Sequence, residues 1–281
     1  MPKVLSKAVL YGFLATWSVV CVFPIYWVAV TSLKSEADIT SGPRYLPFVD
    51  FTPNLDSWAF LLADPHENLR MRFLNSAVIA SGSTAVTLLL GAMLVYGVTR
   101  FYPSARRILA AVLATRILPP IVLVLPVYVV GHYTGLLDTR LGLIAVYAGA
   151  NLPVAVWLLQ PIFGAVATDQ EEAAQLDGAS RLGVFFGIVI PMAATGLAAV
   201  GLLIFILCWN EYLYAAILAG NNAMTLPPWL VGQMSIKEAQ VGSEAEEWAH
   251  FSAATVLMAV PVLLFAAFAQ RALGRVGLWR A

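Results

Sequence analysis

The residues of this chain that could do chemistry form one cluster and a few isolated positions. The cluster is QEEAAQLDGASRLGVFFGIVIP, Gln170–Pro191, set between two strongly apolar stretches. It holds the carboxylates of Glu171, Glu172 and Asp177, an Asp-Gly pair, Arg181 and a closing proline. The isolated positions are Arg116, a charge inside an apolar run, and Asn210 and Glu211 of FILCWNEYLYAAIL. Asn and Glu offer paired donors and acceptors to neighbouring hydroxyl groups. Around them, Trp209, Tyr212 and Tyr214 suit either stacking on a ring face or an interfacial aromatic belt. A membrane-embedded enzyme would need His, Asp or Glu clustered at one membrane face, and the chain supplies no such cluster. It also lacks a Gly-x-x-x-x-Gly-Lys-Ser/Thr stretch that would cradle nucleotide phosphates. His66, His132 and His250 are scattered, which argues against a metal centre. Cys21 and Cys208 both lie in apolar runs and read as small buried hydrophobes.

The elements that must position these residues are set by composition. The chain has 281 residues, 60% hydrophobic and 11% charged, against about 25% charged in a soluble domain. Sixteen basic and sixteen acidic residues cancel, which removes the electrostatic case for nucleic acid. A hydrocarbon core of about 30 Å needs roughly 20 apolar residues per helix. Sufficient runs lie between Lys7 and Lys34, Arg72 and Arg100, Arg140 and Asp169, Arg181 and Glu211, and His250 and Arg271. A sixth, from Ile108 to Gly131, is interrupted only by Arg116. The expectation is an all-α polytopic membrane protein with six transmembrane helices. Its first run exceeds the apolar core of a cleaved signal peptide and reads as a retained anchor.

Lys and Arg set the orientation. With the N-terminus in the cytoplasm, nine of them fall on inside segments and six on outside segments that are longer. Both termini and the Gln170–Pro191 cluster then face the cytoplasm. Two long outside segments, from Leu33 to Arg72 and from Gly220 to Trp248, either cap the bundle or dock a soluble partner. Asn210 and Glu211 come roughly 20 residues beyond Pro191, about 30 Å along the fifth helix and toward its outer end. Arg116 lies about 12 Å from the start of a helix running the same way, so the two do not meet unless the helices break strongly. Arg116 then snorkels or bonds backbone carbonyls freed near Pro119-Pro120.

Within the cluster, Thr168 or Asp169 is expected to cap a helix that runs through Leu176, with Glu171 or Glu172 three residues on. Ala173 and Ala174 give it a low profile that lets another backbone approach. Asp177-Gly178 ends it, because glycine accepts a positive φ. Ser180 caps a second helix that turns apolar and enters the membrane near Pro191. Gly183-x-x-x-Gly187 offers a small-residue spacing for close helix packing. The sum is a charged helix-turn-helix at the cytoplasmic surface.

This run resembles the "EAA" loop of ATP-binding-cassette importer permeases at Glu172, Ala173, Ala174, Gly178, Ile188 and Pro191, with Ile190 where that pattern favours Leu. Further landmarks resemble the carbohydrate-uptake, maltose-permease type: RFLNSAVIASGSTAVTLLLGAMLVYGVTRF, TRILPPIVLVLPVYVV, TGLLDTRLGLI, NLPVAVWLL and FILCWNEYLYAAIL. AQRALGRVGL resembles the closing segment, although LWRA replaces the usual tail.

The resemblance implies a single permease domain over residues 1–281, with a core at about 70–271, an outside segment at about 33–72 and a coupling loop at about 168–190. It implies that Glu171, Glu172, Ala173, Ala174, Asp177, Gly178, Ile188 and Pro191 couple to a separate ATPase, and that Trp209, Asn210, Glu211 and Tyr214 border the solute pathway. Implied partners are a second homologous permease, two ATPase subunits that bind the ATP and Mg²⁺, an extracytoplasmic solute-binding protein, the lipid bilayer, and a sugar, oligosaccharide or polyol. No cofactor is expected in this chain, and its location would be a bacterial-type inner membrane. The pairing of TRILPP with GLLDT leans toward trehalose- or polyol-like solutes and leaves disaccharides and glycerol-linked sugars open. The alternatives are a permease for a non-carbohydrate solute, and an ion-driven secondary carrier, which would need acidic relays or inverted repeats.

Overall fold

The computed structural model describes residues 2–63, 68–102, 106–237 and 244–275, and the regular structure among them is helical apart from one isolated bridge, Pro47 to Phe51. The long apolar α1 (Pro2–Thr31) leads into the proline-bearing segment, where α2 (Glu36–Thr40) and α3 (Asp56–Ala63) form. A capping box starts α2: the Asp38 N–H donates to the Ser35 hydroxyl, and the Asp38 carboxylate accepts from the Ser35 N–H. Next come α4 (Leu69–Arg100), α5 (Arg106–Ala114), a 3-10 turn (Thr115–Ile117) and α6 (Pro120–Thr134). Gly135, at φ +69°, closes α6, and the Thr139 hydroxyl caps α7 (Arg140–Gly164) by accepting the Gly142 N–H at 3.0 Å. Beyond it lie α8 (Thr168–Leu176), α9 (Arg181–Val184), a π-helical stretch (Phe185–Val189), α10 (Ile190–Met192) and α11 (Ala194–Trp209). The chain then forms α12 (Leu213–Leu218), α13 (Leu226–Lys237) and α14 (Glu244–Arg275).

Among the described residues four stretches are long and apolar enough to cross a bilayer: Val9–Thr31, Leu69–Arg100, Arg140–Gly164 and Trp248–Ala267. The other two apolar runs of the sequence are not straight. One bends by 99° between Arg107–Ile117 and Pro120–Thr134, the other by 80° between Arg181–Met192 and Ala194–Trp209. A proline pair accounts for the first break. Pro119 and Pro120 lack the N–H groups a continuous helix needs, and Pro191 stands just before the second bend at Ala193.

The chain divides into two compact units. The first comprises Met1–Arg70 and Leu230–Pro261. Its α1 is exposed along most of its length, including Cys21, which corrects the expectation of a buried thiol. A helix solvated by lipid has no need of a protein partner for its apolar side chains. The segment after α1 folds back on its end: Tyr26 donates to the Tyr45 carbonyl at 2.6 Å, and the Trp27 and Tyr45 rings lie 5.3 Å apart.

The second unit comprises Met71–Trp229 and Val262–Ala281, and its core is a trio of α4, α7 and α11. Ser83 and Thr87 of α4 donate to the carbonyls of Ile144 and Ala148 of α7, so these two helices run parallel. Gly196 of α11 meets Ile162, and Cys208 meets Asn151, so α11 runs antiparallel to α7. Close packing falls on Gly82 and Gly91 of α4 and on Gly196 and Gly201 of α11. A Cβ at Gly196 would lie 2.6 Å from Ile162 Cγ2, and one at Gly82 2.9 Å from Ile144 Cδ1. The Gly183/Gly187 pair is not used this way: a Cβ at Gly187 would meet nothing within 4 Å. That pair lies on the α9 and π-helical stretch, away from the trio's contact faces.

Candidate functional site

The Gln170–Pro191 cluster folds as a helical hairpin at the end of the trio where α4 and α7 finish. Its first helix, α8, starts behind Ala167 with no side-chain cap, so neither Thr168 nor Asp169 performs the expected role. Glu171 turns inward instead, toward a stronger set of partners. It is 4% exposed; its carboxylate accepts from the Tyr96 hydroxyl at 3.1 Å and from Arg100 Nε at 3.0 Å. Arg100 Nη2 also donates to the carbonyls of Phe163 and Val166 at and just beyond the end of α7, at 3.2 and 2.8 Å. One guanidinium thus ties α4, α7 and α8 together.

Aromatic packing completes the seat. The Tyr96 ring lies 5.0 Å from Phe185 and 5.5 Å from Phe101, and the Arg181 guanidinium stacks 4.6 Å over Phe101. The rest of the hairpin faces outward. Glu172, Ala173, Asp177 and Gly178 are exposed and Ala174 is half-buried. Leu176 at the tip is 90% exposed, an apolar side chain on an otherwise polar element. Gly178 ends α8 at φ +88°, and Ser180 caps α9 by accepting the Gly183 N–H at 3.1 Å, both as expected. Ile188 is half-buried within the π-helical stretch, and Pro191 is exposed at the bend into α11.

At the opposite end of the trio, Asp138 organises a second knot. Its backbone sits at φ +54°, in the left-handed region that Asp tolerates. Its carboxylate accepts the N–H groups of Gly220 (2.7 Å), Ala223 (2.8 Å) and Asn222 (3.1 Å), and the Asn222 amide at 2.9 Å. Burial pushes this carboxyl's pKa up, but the donations from Ala223, Asn222 and Gly220 together outweigh it and hold the pKa below the ordinary value. Asn75 bonds the carbonyls of Asn222 and Met224 and accepts from Arg140, while Arg72 donates to the Asn221 carbonyl.

Between the two ends lies a polar layer. Arg116, at the α5–α6 bend, is exposed and donates to the carbonyl of Ala150 near the middle of α7, rather than to carbonyls near Pro119-Pro120. Asn151 donates to Tyr147 O and Cys208 Sγ. The end of α11 therefore lies level with the middle of α7, and Asn210 and Glu211 sit at mid-helix depth rather than at an outer surface. Glu211 caps α12 by accepting the N–H groups of Tyr214 (3.1 Å) and Ala215 (3.3 Å). Asn210 and Tyr212 are exposed, whereas Trp209 is buried against Phe73 and Phe205, and Tyr214 is buried. Arg116 and Tyr214 line one cavity of about 570 Å³. No ion pair joins Arg116 to Glu211.

Sequence reasoning missed Tyr96, Arg100 and Leu176. Tyr96 and Arg100 stand four apart on α4, a spacing that puts both on one helix face and could have flagged a polar pair.

Residues 87–276 match the family described as binding-protein-dependent transport system inner membrane component. The chain is 32% identical over 274 residues to a diacetylchitobiose uptake system permease protein of Streptomyces coelicolor, covering 96% of this chain and 87% of that one. It is also 32% identical over 252 residues to a sulfoquinovosyl glycerol transport system permease protein of Agrobacterium fabrum, covering 89% and 85%. A chain of a bacterial ABC transporter involved in the import of the acidic polysaccharide alginate shares its fold, with a TM-score of 0.79 at 21% identity over 96% of this chain and 97% of that chain. The matched region contains the seated hairpin, the polar layer and the Asp138 knot, and on that basis the chain belongs to the inner membrane components of binding-protein-dependent transport systems.

Proposed function

We propose that this chain is a permease subunit of an ATP-driven importer that moves a sugar, oligosaccharide or polyol into the cytoplasm by alternating access. In this reading α1, α4, the bent α5–α6 pair, α7, the bent α9–α11 run and α14 are six spans of one permease domain in a bacterial-type inner membrane. Both termini and the hairpin face the cytoplasm. A second permease, two ATPase subunits carrying ATP and Mg²⁺, and an extracytoplasmic binding protein complete the assembly.

The observation that carries the reading is the hairpin's construction. Glu171 and Arg100 fix it to α4 and α7, and from Arg181 its second arm continues into α11 through helical residues broken only at Ala193, while Glu172, Leu176 and Asp177 point away. Such an element transmits a push as rigid-body motion, where a flexible loop would absorb it. The push would reach the end of α11, where Asn210 and Glu211 interrupt the helix beside the Arg116 cavity. Donors and acceptors at that depth suit a hydroxyl-bearing solute, and the solutes named for both bacterial relatives contain sugars.

The test is transport by the assembled complex in liposomes. Glu172→Lys and Leu176→Asp should leave ATP hydrolysis running while uptake falls by about tenfold or more, as expected when a docking contact worth above 1.4 kcal/mol is lost. Normal uptake in both variants, or solute accumulation by this chain alone, would refute the reading.

A further inference from the structure

The unit formed by Met1–Arg70 and Leu230–Pro261 contains a cavity of about 610 Å³ that the transport reading does not use. Its walls include Trp27 and Thr31 from the last turns of α1, Tyr45, and Trp248 and Phe251 from α14. Lys34 lines it and is 3% exposed. Its ammonium lies 4.3 Å from the Trp27 ring centroid and 5.6 Å from that of Phe51. Among the described residues it makes no ion pair and no side-chain hydrogen bond. The Thr31 hydroxyl, on a residue 7% exposed, is likewise without a partner.

The nearby carboxylates are engaged elsewhere. Asp38 pairs with Arg44 at 2.7 Å and accepts from the Ser35 hydroxyl at 2.6 Å. Asp50 accepts the N–H groups of Tyr45 and Leu46, each at 2.8 Å. Burial accordingly lowers the Lys34 pKa, with the attraction of Asp38 only partly opposing it. A buried hydroxyl without a partner and a lysine ammonium without an ion pair face one cavity, which suits an acceptor, and a lysine ammonium is a strong point-charge partner for phosphate.

Depth says where that acceptor comes from. The cavity lies where the apolar stretch of α1 ends, at Thr31, and where that of α14 begins, at Trp248. Those positions mark a membrane–water boundary, the level of lipid phosphates and of Trp and Tyr belts. Phe23, exposed one turn before Trp27 and stacked on it at 6.4 Å, extends the wall with apolar surface on which an acyl chain can lie. We infer that this cavity is a phospholipid site, in which a headgroup phosphate accepts from the Lys34 ammonium and the Thr31 hydroxyl while the acyl chains lie along α1. A soluble phosphate would leave the aromatic walls and the apolar face unused.

Native mass spectrometry of the full-length chain, released from detergent with phosphatidylglycerol, tests the site. The wild-type chain should retain one lipid that soluble glycerol phosphate does not displace. Lys34→Gln should retain about tenfold less, the loss expected for one charge-assisted hydrogen bond, and Lys34→Arg should restore it. Equal retention by Lys34→Gln would overturn the site. Displacement by glycerol phosphate would overturn its assignment to lipid. A Lys34→Gln chain with unchanged thermal unfolding and lost lipid would separate binding from folding.

Discussion

The two ends of the α4–α7–α11 trio are each held by one carboxylate, and the two carboxylates are built in differently. Asp138 accepts almost entirely from backbone N–H groups of a single loop, so its partners cannot swing away without the loop unfolding. Glu171 accepts from two side chains, Tyr96 and Arg100, and anchors an element whose remaining surface is largely exposed. The first arrangement closes a structure on itself. The second fixes a hairpin at one point and leaves its outer surface exposed, as the proposed lever requires.

Removing Asp138 should therefore be the more damaging change. Asp138→Ala leaves the N–H groups of Gly220, Asn222 and Ala223 without their acceptor, at an expected cost of about 3 kcal/mol. A lowered midpoint of thermal unfolding in detergent is the readout, and an unchanged midpoint would deny the knot its structural role. The sign of the pH dependence follows from the depressed pKa. The stabilisation is complete above the unfolded carboxyl value of about 3.9 and is lost as the pH falls through the lower folded value. Asp138→Asn should lose that acid limb and be less stable than wild type at neutral pH.

Glu171→Ala should cost less, about 2 kcal/mol, because Arg100 keeps the carbonyls of Phe163 and Val166 as acceptors. Its larger consequence should be functional. With the seat gone, the hairpin no longer moves with α4 and α7, and uptake by the reconstituted complex should fall more than Tm does. A double-mutant cycle with Arg100→Met should return a coupling energy of about 1 kcal/mol or more. Additivity would mean that the ion pair at 3.0 Å does not hold the lever.

Local signals made much of this readable before any coordinates. The apolar runs marked the long helices, and Asp177-Gly178 and Ser180 marked the hairpin's turn and second cap, because each depends on residues a few positions apart. What escaped depended on distance along the chain. Glu171 reads locally as a capping-box residue, and only Arg100, on another helix, diverts it. Straight helices would put Glu211 at the outer end of the fifth run, whereas breaks at Pro119-Pro120 and just after Pro191 leave α11 ending level with the middle of α7. Those prolines were visible, but bend direction is set by packing that a linear pattern does not encode. Burial of Trp209 likewise depends on Phe73, far away on α4.

The glycines of the two ends provide the finest comparison. Gly178 sits at φ +88° with open space where a Cβ would go, so Gly178→Ala meets only the backbone cost of a left-handed residue, about 1 kcal/mol. Gly178→Asn should cost less than that, since Asn enters this region more readily. At Gly220 the backbone is ordinary, but a Cβ would lie 2.9 Å from Asp138 Oδ2, so Gly220→Ala must push the carboxylate off its donors. Gly220→Ala should then lower Tm more than Gly178→Ala. The reverse order would mean that the hairpin's turn, and not the Asp138 loop, is the more tightly determined of the two.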